Sequence, residues 1–450
     1  MRWILSLLVI GAFGLTVFLT EPPEPADLRS GYTAVETLDP QLVSSSEDVR
    51  ISYALFEGLT TFDNRFQIQP AVARSWEVSE DRQTYTFTLR PEARWSNGDP
   101  VTAHDFVFSW RIAMMADTAP RYIHFLWHIR GAKDFFDWTV QSLADIGGLK
   151  EELDFCVQEL EHKLKLDEEE KKQRVKRWER LRRQLPEKWV RLMTRARTGV
   201  PSAIQQARDG LKAQQRAMAK KRFEQSLLEF EKRVAVEAID DHTLRVSLEK
   251  PLTYFLEVAA CWPLMPVHRP TIEKHSRVDP NSFRYRRDPQ WTKPQTIVGN
   301  GPFKLNRWQF KRQIHMVANP HYWNAEARKL NSMRLDYFKS PQTMFIAYER
   351  GQIDLYLDAT LSFIPELIEL HAEGKRNDVH GFNAYGTYYY LLNCREKMPD
   401  GRDNPFADVN VRRAFVMSVD RKAIVEQVTR LRQETTSVFV PPGAIPGYEP

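Results

Sequence analysis

The 450-residue sequence predicts an α/β protein, and three stretches carry that prediction. Between Gln83 and Leu89, Tyr85, Phe87 and Leu89 alternate with Thr84, Thr86 and Thr88, the period of two that marks a half-buried strand. From Phe303 onward, strand-like runs (312–318, 333–338, 353–356) alternate with helical ones (341–350, 364–373), as in a sheet with covering helices. Between 141 and 233, narrow apolar stripes run through Glu-, Lys- and Arg-rich sequence, which predicts an inserted, coiled-coil-like helical arm.

Taken in order, the chain opens with Arg2 and an apolar run over 3–19, the pattern of an export signal or an uncleaved membrane anchor in residues 1–20. A Pro-rich, acidic spacer covers 21–29. Ser44, Ser45, Ser46 and Glu47 then precede a helix bearing Ile51 and Leu55. They read either as an N-cap cluster or as a loop facing a ligand. Asn97-Gly98 supplies a tight reversal, and Thr102 with Asp105 resembles a capping box at the start of a helix near Ala103. The aromatic-rich stretch 121–138 reads as helical, with His124 and His128 four apart on an ordinary packed face rather than a zinc site.

In the insertion, Leu149, Leu153, Val157, Leu160 and Leu164 form one stripe, and Val175, Trp178, Leu181 and Leu185 a second. Ala207, Leu211, Gln214 and Met218 continue the pattern, followed by Phe223, Leu227 and Phe230. Pro186 and Gly199-Val-Pro201 break it into three or more helices folding back on each other. A hairpin follows over 236–246, with Asp240, Asp241 and His242 as its solvated turn, not an acid/base trio. Gly299-Asn-Gly301 leads into Pro302 and a strand, so it is a β-turn and not a phosphate loop.

Composition narrows the function classes. An apolar content of 42% excludes disorder over most of the length, and a net charge of +5 is mild. About 23 basic and 15 acidic residues fall between 150 and 235, so the excess is confined to the insertion. That argues against a nucleic-acid-binding chain and for an acidic local partner, membrane headgroups or a merely solvated face. Cys156, Cys261 and Cys394 are odd in number and lack metal spacing, so they read as packed, reduced thiols. With no nucleophile–base pair, metal cluster or phosphate loop, an enzyme is disfavoured and no cofactor is implied.

One long motif identifies a family. Trp95-Ser-Asn-Gly-Asp-Pro-Val-Thr-Ala-His-Asp-Phe106 resembles the signature of the extracytoplasmic solute-binding proteins of peptide ABC importers (bacterial solute-binding family 5). Leu38-Asp-Pro40, Leu55-Phe-Glu-Gly-Leu59, Ala238-Ile-Asp-Asp-His-Thr-Leu244, Gly299-Asn-Gly-Pro-Phe303, Tyr322-Trp-Asn324, Gly351-Gln-Ile-Asp354, Thr387-Tyr-Tyr-Tyr390 and the run 406–420 follow in the family's order.

The resemblance implies a two-lobed, periplasmic-binding-protein-like fold. Lobe I would comprise 30–56 and 267–386, its extra subdomain 57–140 and 234–266, and a second lobe, truncated here, would begin at 387. It also implies an oligopeptide ligand held in a cleft lined by Ser44, Ser45, Ser46 and Glu47 and by Tyr385, Gly386, Thr387, Tyr388 and Tyr389, where tyrosines grip varied side chains. Permease subunits of the inner membrane would be the partners, with no nucleic acid and an extra partner open to the insertion. The periplasm, or the outer face of the cytoplasmic membrane, is the implied location. The rival reading is a membrane-tethered scaffold that recruits a partner through the insertion and carries a degenerate clamp.

Overall fold

In the computed structural model, residues 25–118, 120–161, 183, 187, 190, 191, 201–357, 359–381, 387–430 and 433–440 are described, with the backbone alone at 148–161, 201–208 and 211. Contacts divide the chain into two units. The first holds residues up to Phe338 plus Ile353–Leu355; the second holds Lys339–Gln352 and the residues from Tyr356 onward.

Two four-stranded sheets organise the first unit. One is antiparallel and runs in the order Ala73–Val78, Thr84–Leu89, Thr243–Ser247, Val236–Asp240. Its second strand alternates as the threonine pattern requires, with Tyr85, Phe87 and Leu89 buried. The hairpin turn between its last two strands is held by Asp240, whose carboxylate accepts from the His242 amide and the Thr243 hydroxyl. The other sheet runs Leu28–Tyr32, Ser332–Tyr337, Gln313–Ala318, Phe303–Gln309, with the first pair parallel. Ile353–Leu355 returns to its edge as a single parallel bridge, Ser30 to Leu355, rather than the full strand predicted over 353–356. Asp354 fastens that bridge, accepting from the Arg29 amide at 2.8 Å and its guanidinium at 2.5 Å.

The helix Ala103–Ala113 packs Phe106, Trp110 and Ile112 into the core. It begins where Asp105 accepts from the Thr102 amide at 2.9 Å. Just upstream, Trp95 and Asp99 close the reversal that Gly98 permits at φ +93°. The stretch 121–138 is not one helix: a 3-10 turn spans Ile123–His128, and an α-helix restarts at Ala132 after Gly131. Gly131 sits at φ +76°, and a Cβ there would lie 1.9 Å from the Arg233 carbonyl. That close approach is the neck where the insertion leaves and rejoins the sheet.

From the neck, helices Ala132–Glu161 and Pro201–Arg233 run together, with Phe135 packed edge-on to Phe230 at 5.4 Å. The first begins before residue 141 because Phe135, Phe136 and Trp138 extend its apolar face backward. Arg222 then roots the second. Its guanidinium grips Asp117 through two 2.7 Å bonds and also donates to the Phe283 carbonyl and the Ser142 hydroxyl. Both charged side chains of this pair are buried. The stripe 175–185 and the side chains of Leu149, Leu153, Val157, Leu160 and Leu164 lie outside the described residues, as does the side chain of Cys156.

The second unit is built from Pro341–Glu349, Ile364–Ala372 and Val409–Met417. Phe345 stacks on Phe363 at 4.5 Å, and Arg376 ties Asp378 to Glu349. That pairing holds the Asp378 carboxyl well below the usual carboxylate range. Cys394 is exposed rather than packed, because its segment lies on no sheet. Cys261 is half-buried, and burial pushes its thiol up to about 11.

Candidate ligand-binding segments

In the first unit, the Ser44–Glu47 cluster is built as a helix start. Ser45 is the N-cap of Ser46–Leu55, its hydroxyl accepting from the Asp48 amide at 3.0 Å. The loop leading into it is pinned by Asp39, which is buried and paired with Arg287 at 2.9 Å. Burial pushes the Asp39 carboxyl up, against the pull of Arg287. Glu47 turns its carboxylate inward: Oε1 accepts from the Thr33 amide and hydroxyl, and Oε2 from the Ala34 amide at 2.8 Å. Asp48 does the same for the Glu36 amide, and burial raises it to about 6. The cluster therefore presents the exposed Ser46 and the half-exposed Ser44, while Ser45 and Glu47 hold the loop in shape.

In the second unit, Tyr385 and Gly386 lie outside the described residues. Thr387 donates to the Phe439 carbonyl at 2.7 Å, and Tyr389 packs edge-on to the Phe439 ring at 4.8 Å. Tyr388 is 85% exposed and Tyr390 75%, their rings meeting edge-on at 5.6 Å. Residues 387–390 belong to no strand, so these tyrosines are not sheet packing. Asn404, nearly buried, donates to the carbonyls of Asn393 and Arg395 and so fixes the end of the segment.

Sequence reading missed what the other motifs do together. Glu57 is buried, and its carboxylate accepts from the Tyr322 hydroxyl and the Trp323 indole, each at 2.6 Å. The Arg90 guanidinium covers the Trp323 ring at 3.7 Å. Asn300 brackets Glu57 from the other side, accepting from its amide and donating to its carbonyl, both at 2.9 Å. Gly299 and Gly301 lie so close to Leu55 that a Cβ would fall 2.1 Å from its carbonyl oxygen and 2.6 Å from its carbonyl carbon. Ser96 joins by donating its amide to the Gly299 carbonyl at 2.7 Å. Four of the motifs that carry the resemblance thus meet in one buried node, and their role there is scaffolding. Among the described residues, no cluster of His, Cys, Asp or Glu could hold a metal ion.

The profile of the bacterial extracellular solute-binding proteins, family 5 Middle, matches residues 67–450. The chain belongs to this family. Among the curated relatives, the periplasmic oligopeptide-binding protein OppA of Haemophilus influenzae is 26% identical over 90% of this chain and 55% of its own length. OppA of Escherichia coli K12 is 26% identical over 92% and 56%. A probable deoxycholate-binding periplasmic protein of Escherichia coli, YgiS, is 27% identical over 93% and 58%. The chain therefore spans about half the length of the curated relatives it matches. The crystal structure of Haemophilus influenzae OppA in complex with the peptide RPPGFSPFR superposes with a TM-score of 0.60 at 25% identity, covering 92% of this chain and 60% of that one. The Escherichia coli murein tripeptide-binding protein MppA shares the fold at a TM-score of 0.61 and 22% identity, over 94% and 62%. The α/β fold is therefore that of the two-lobed periplasmic binding proteins.

Proposed function

We propose that this protein is the extracytoplasmic substrate-binding component of an ABC importer, which captures oligopeptides between two lobes and passes them to membrane permease subunits. The observation that carries this reading is the family 5 match over residues 67–450, joined to relatives named for oligopeptide binding across about nine-tenths of the chain. The first lobe contributes Ser44, Ser46 and the backbone around Ser45 and Glu47. Tyr385 and Gly386, where the first lobe passes into the second, and Thr387, Tyr388 and Tyr389 at the start of the second complete the cleft. Main-chain hydrogen bonds, which every peptide offers, supply the affinity, and tyrosine rings take varied side chains without selecting one. Hinge closure around the ligand signals loading. The chain performs no catalysis in this reading, and the apolar run over 3–19 directs export or anchors the protein at the outer face of the cytoplasmic membrane.

Calorimetric titration with peptides of equal length and unrelated sequence tests it. Affinities clustered within about tenfold, a spread of about 1.4 kcal/mol, are expected. Affinity that follows one side chain and survives replacement of backbone amides by esters would sink the broad-specificity mechanism.

A further inference from the structure

The helix Pro201–Arg233 carries a cationic stripe that the peptide-binding reading does not use. Lys212, Arg216 and Lys220 stand four residues apart on successive turns, all exposed, with Lys221 beside them. Side chains at that spacing are neighbours on a helix surface. Along the same helix, the acidic residues flanking the stripe are Asp209 and Glu224, and Glu224 reaches Lys220 at 3.7 Å across an exposed pair. Such a pair neutralises little. The exposed residues between the cations are small, Ala213 and Ala217.

The stripe is also held in place. Gln215, Ala219, Arg222, Ser226 and Phe230 are among the buried residues of the same helix. Arg222 is locked into its bidentate pair with Asp117, and Phe223 stacks on Tyr285 at 4.9 Å with the rings 9° apart. A solvated helix face needs no such footing. The charge is concentrated as well: residues 171–222 contain 18 Lys and Arg against 3 Asp and Glu, which leaves the remainder of the chain at −10.

We propose that this face of the insertion docks on a bilayer carrying anionic phospholipid headgroups. Small residues between the cations offer a protein partner little to grip. A headgroup layer needs no matching shape, because its charges rearrange laterally around any spacing of Lys and Arg. Docking would hold the first unit against the membrane independently of what the cleft binds, so the proposal does not rest on the peptide reading.

The test is partition of the full chain onto phosphatidylglycerol–phosphatidylcholine vesicles against pure phosphatidylcholine vesicles, read by co-sedimentation. Taking the ratio of the two removes any insertion of the N-terminal apolar run, which both vesicles share. A ratio of about tenfold or more is expected at low salt, falling as salt rises. Replacing all four cations (Lys212→Glu, Arg216→Glu, Lys220→Glu, Lys221→Glu) should bring it to near one, with the helical circular dichroism unchanged. The milder Gln set should give an intermediate value. A wild-type ratio near one, or one that the substitutions leave unchanged, overturns the proposal. Binding to polyglutamate with a vesicle ratio near one would point instead to an acidic polypeptide.

Discussion

Glu57 and Tyr322, 265 residues apart in sequence, share a 2.6 Å hydrogen bond in the core of the first unit. The phenol donates and the buried carboxylate accepts, while Trp323 donates to the second carboxylate oxygen. Desolvation nevertheless wins over these donors and over Arg90, and raises the Glu57 carboxyl to about 7. The folded value exceeds the unfolded one, roughly 4.3 for glutamate. The stabilisation contributed by the protonated form is therefore complete below the unfolded value and is lost as pH rises through about 7. Thermal melts of wild type and Glu57→Gln should show it: the wild-type Tm falls relative to the variant between about pH 4.3 and about pH 7. A Tm difference that stays constant over that range would refute the assignment.

Arg222 and Asp117 fix the insertion to the body through a buried, bidentate pair. Removing one partner leaves the other charge buried and uncompensated. Arg222→Met should cost about 3–5 kcal/mol in urea denaturation. Adding Asp117→Leu should recover at least half of that loss, although the Tyr285 amide, which donates to Asp117, loses its acceptor. If the double variant is no more stable than the single one, the pair is not what roots the helix.

Gly301 is required by crowding rather than by backbone conformation. A Cβ there would sit 2.6 Å from the carbonyl carbon of Leu55 and the amide of Phe56, both of them backbone. Gly301→Ala should destabilise by about 1–3 kcal/mol, as overpacking does. Gly381, with nothing within 4 Å of its Cβ position, serves as the control. Gly381→Ala should be near neutral, and equal effects at the two sites would remove the argument.

Much of this architecture is written locally. The Tyr85–Phe87–Leu89 alternation, the Asn97-Gly98 reversal and the Asp105 cap each rest on neighbours a few residues apart, and each stands where the sequence places it. The Glu57 node is a different matter. Its partners Asn300, Tyr322 and Trp323 come from two distant segments, and no periodicity announces a buried carboxylate. Arg222 is hidden in the same way: in a stretch dense with Lys and Arg, nothing local distinguishes its buried guanidinium from the exposed Arg216, Lys220 and Lys221. The proposed ligand segments rest on the resemblance alone. At Ser45 and Glu47 the residues serve the helix start and its loop, a role that sequence alone could not separate from ligand contact.

Native mass spectrometry of the protein purified from its own cells shows whether the ligand is a peptide recognised through its main chain. A peptide ligand gives a ladder of bound masses that fragments into unrelated peptide sequences and disappears on mild denaturation. A single bound mass of non-peptide composition, such as the bile salt for which the relative YgiS is named, would contradict it.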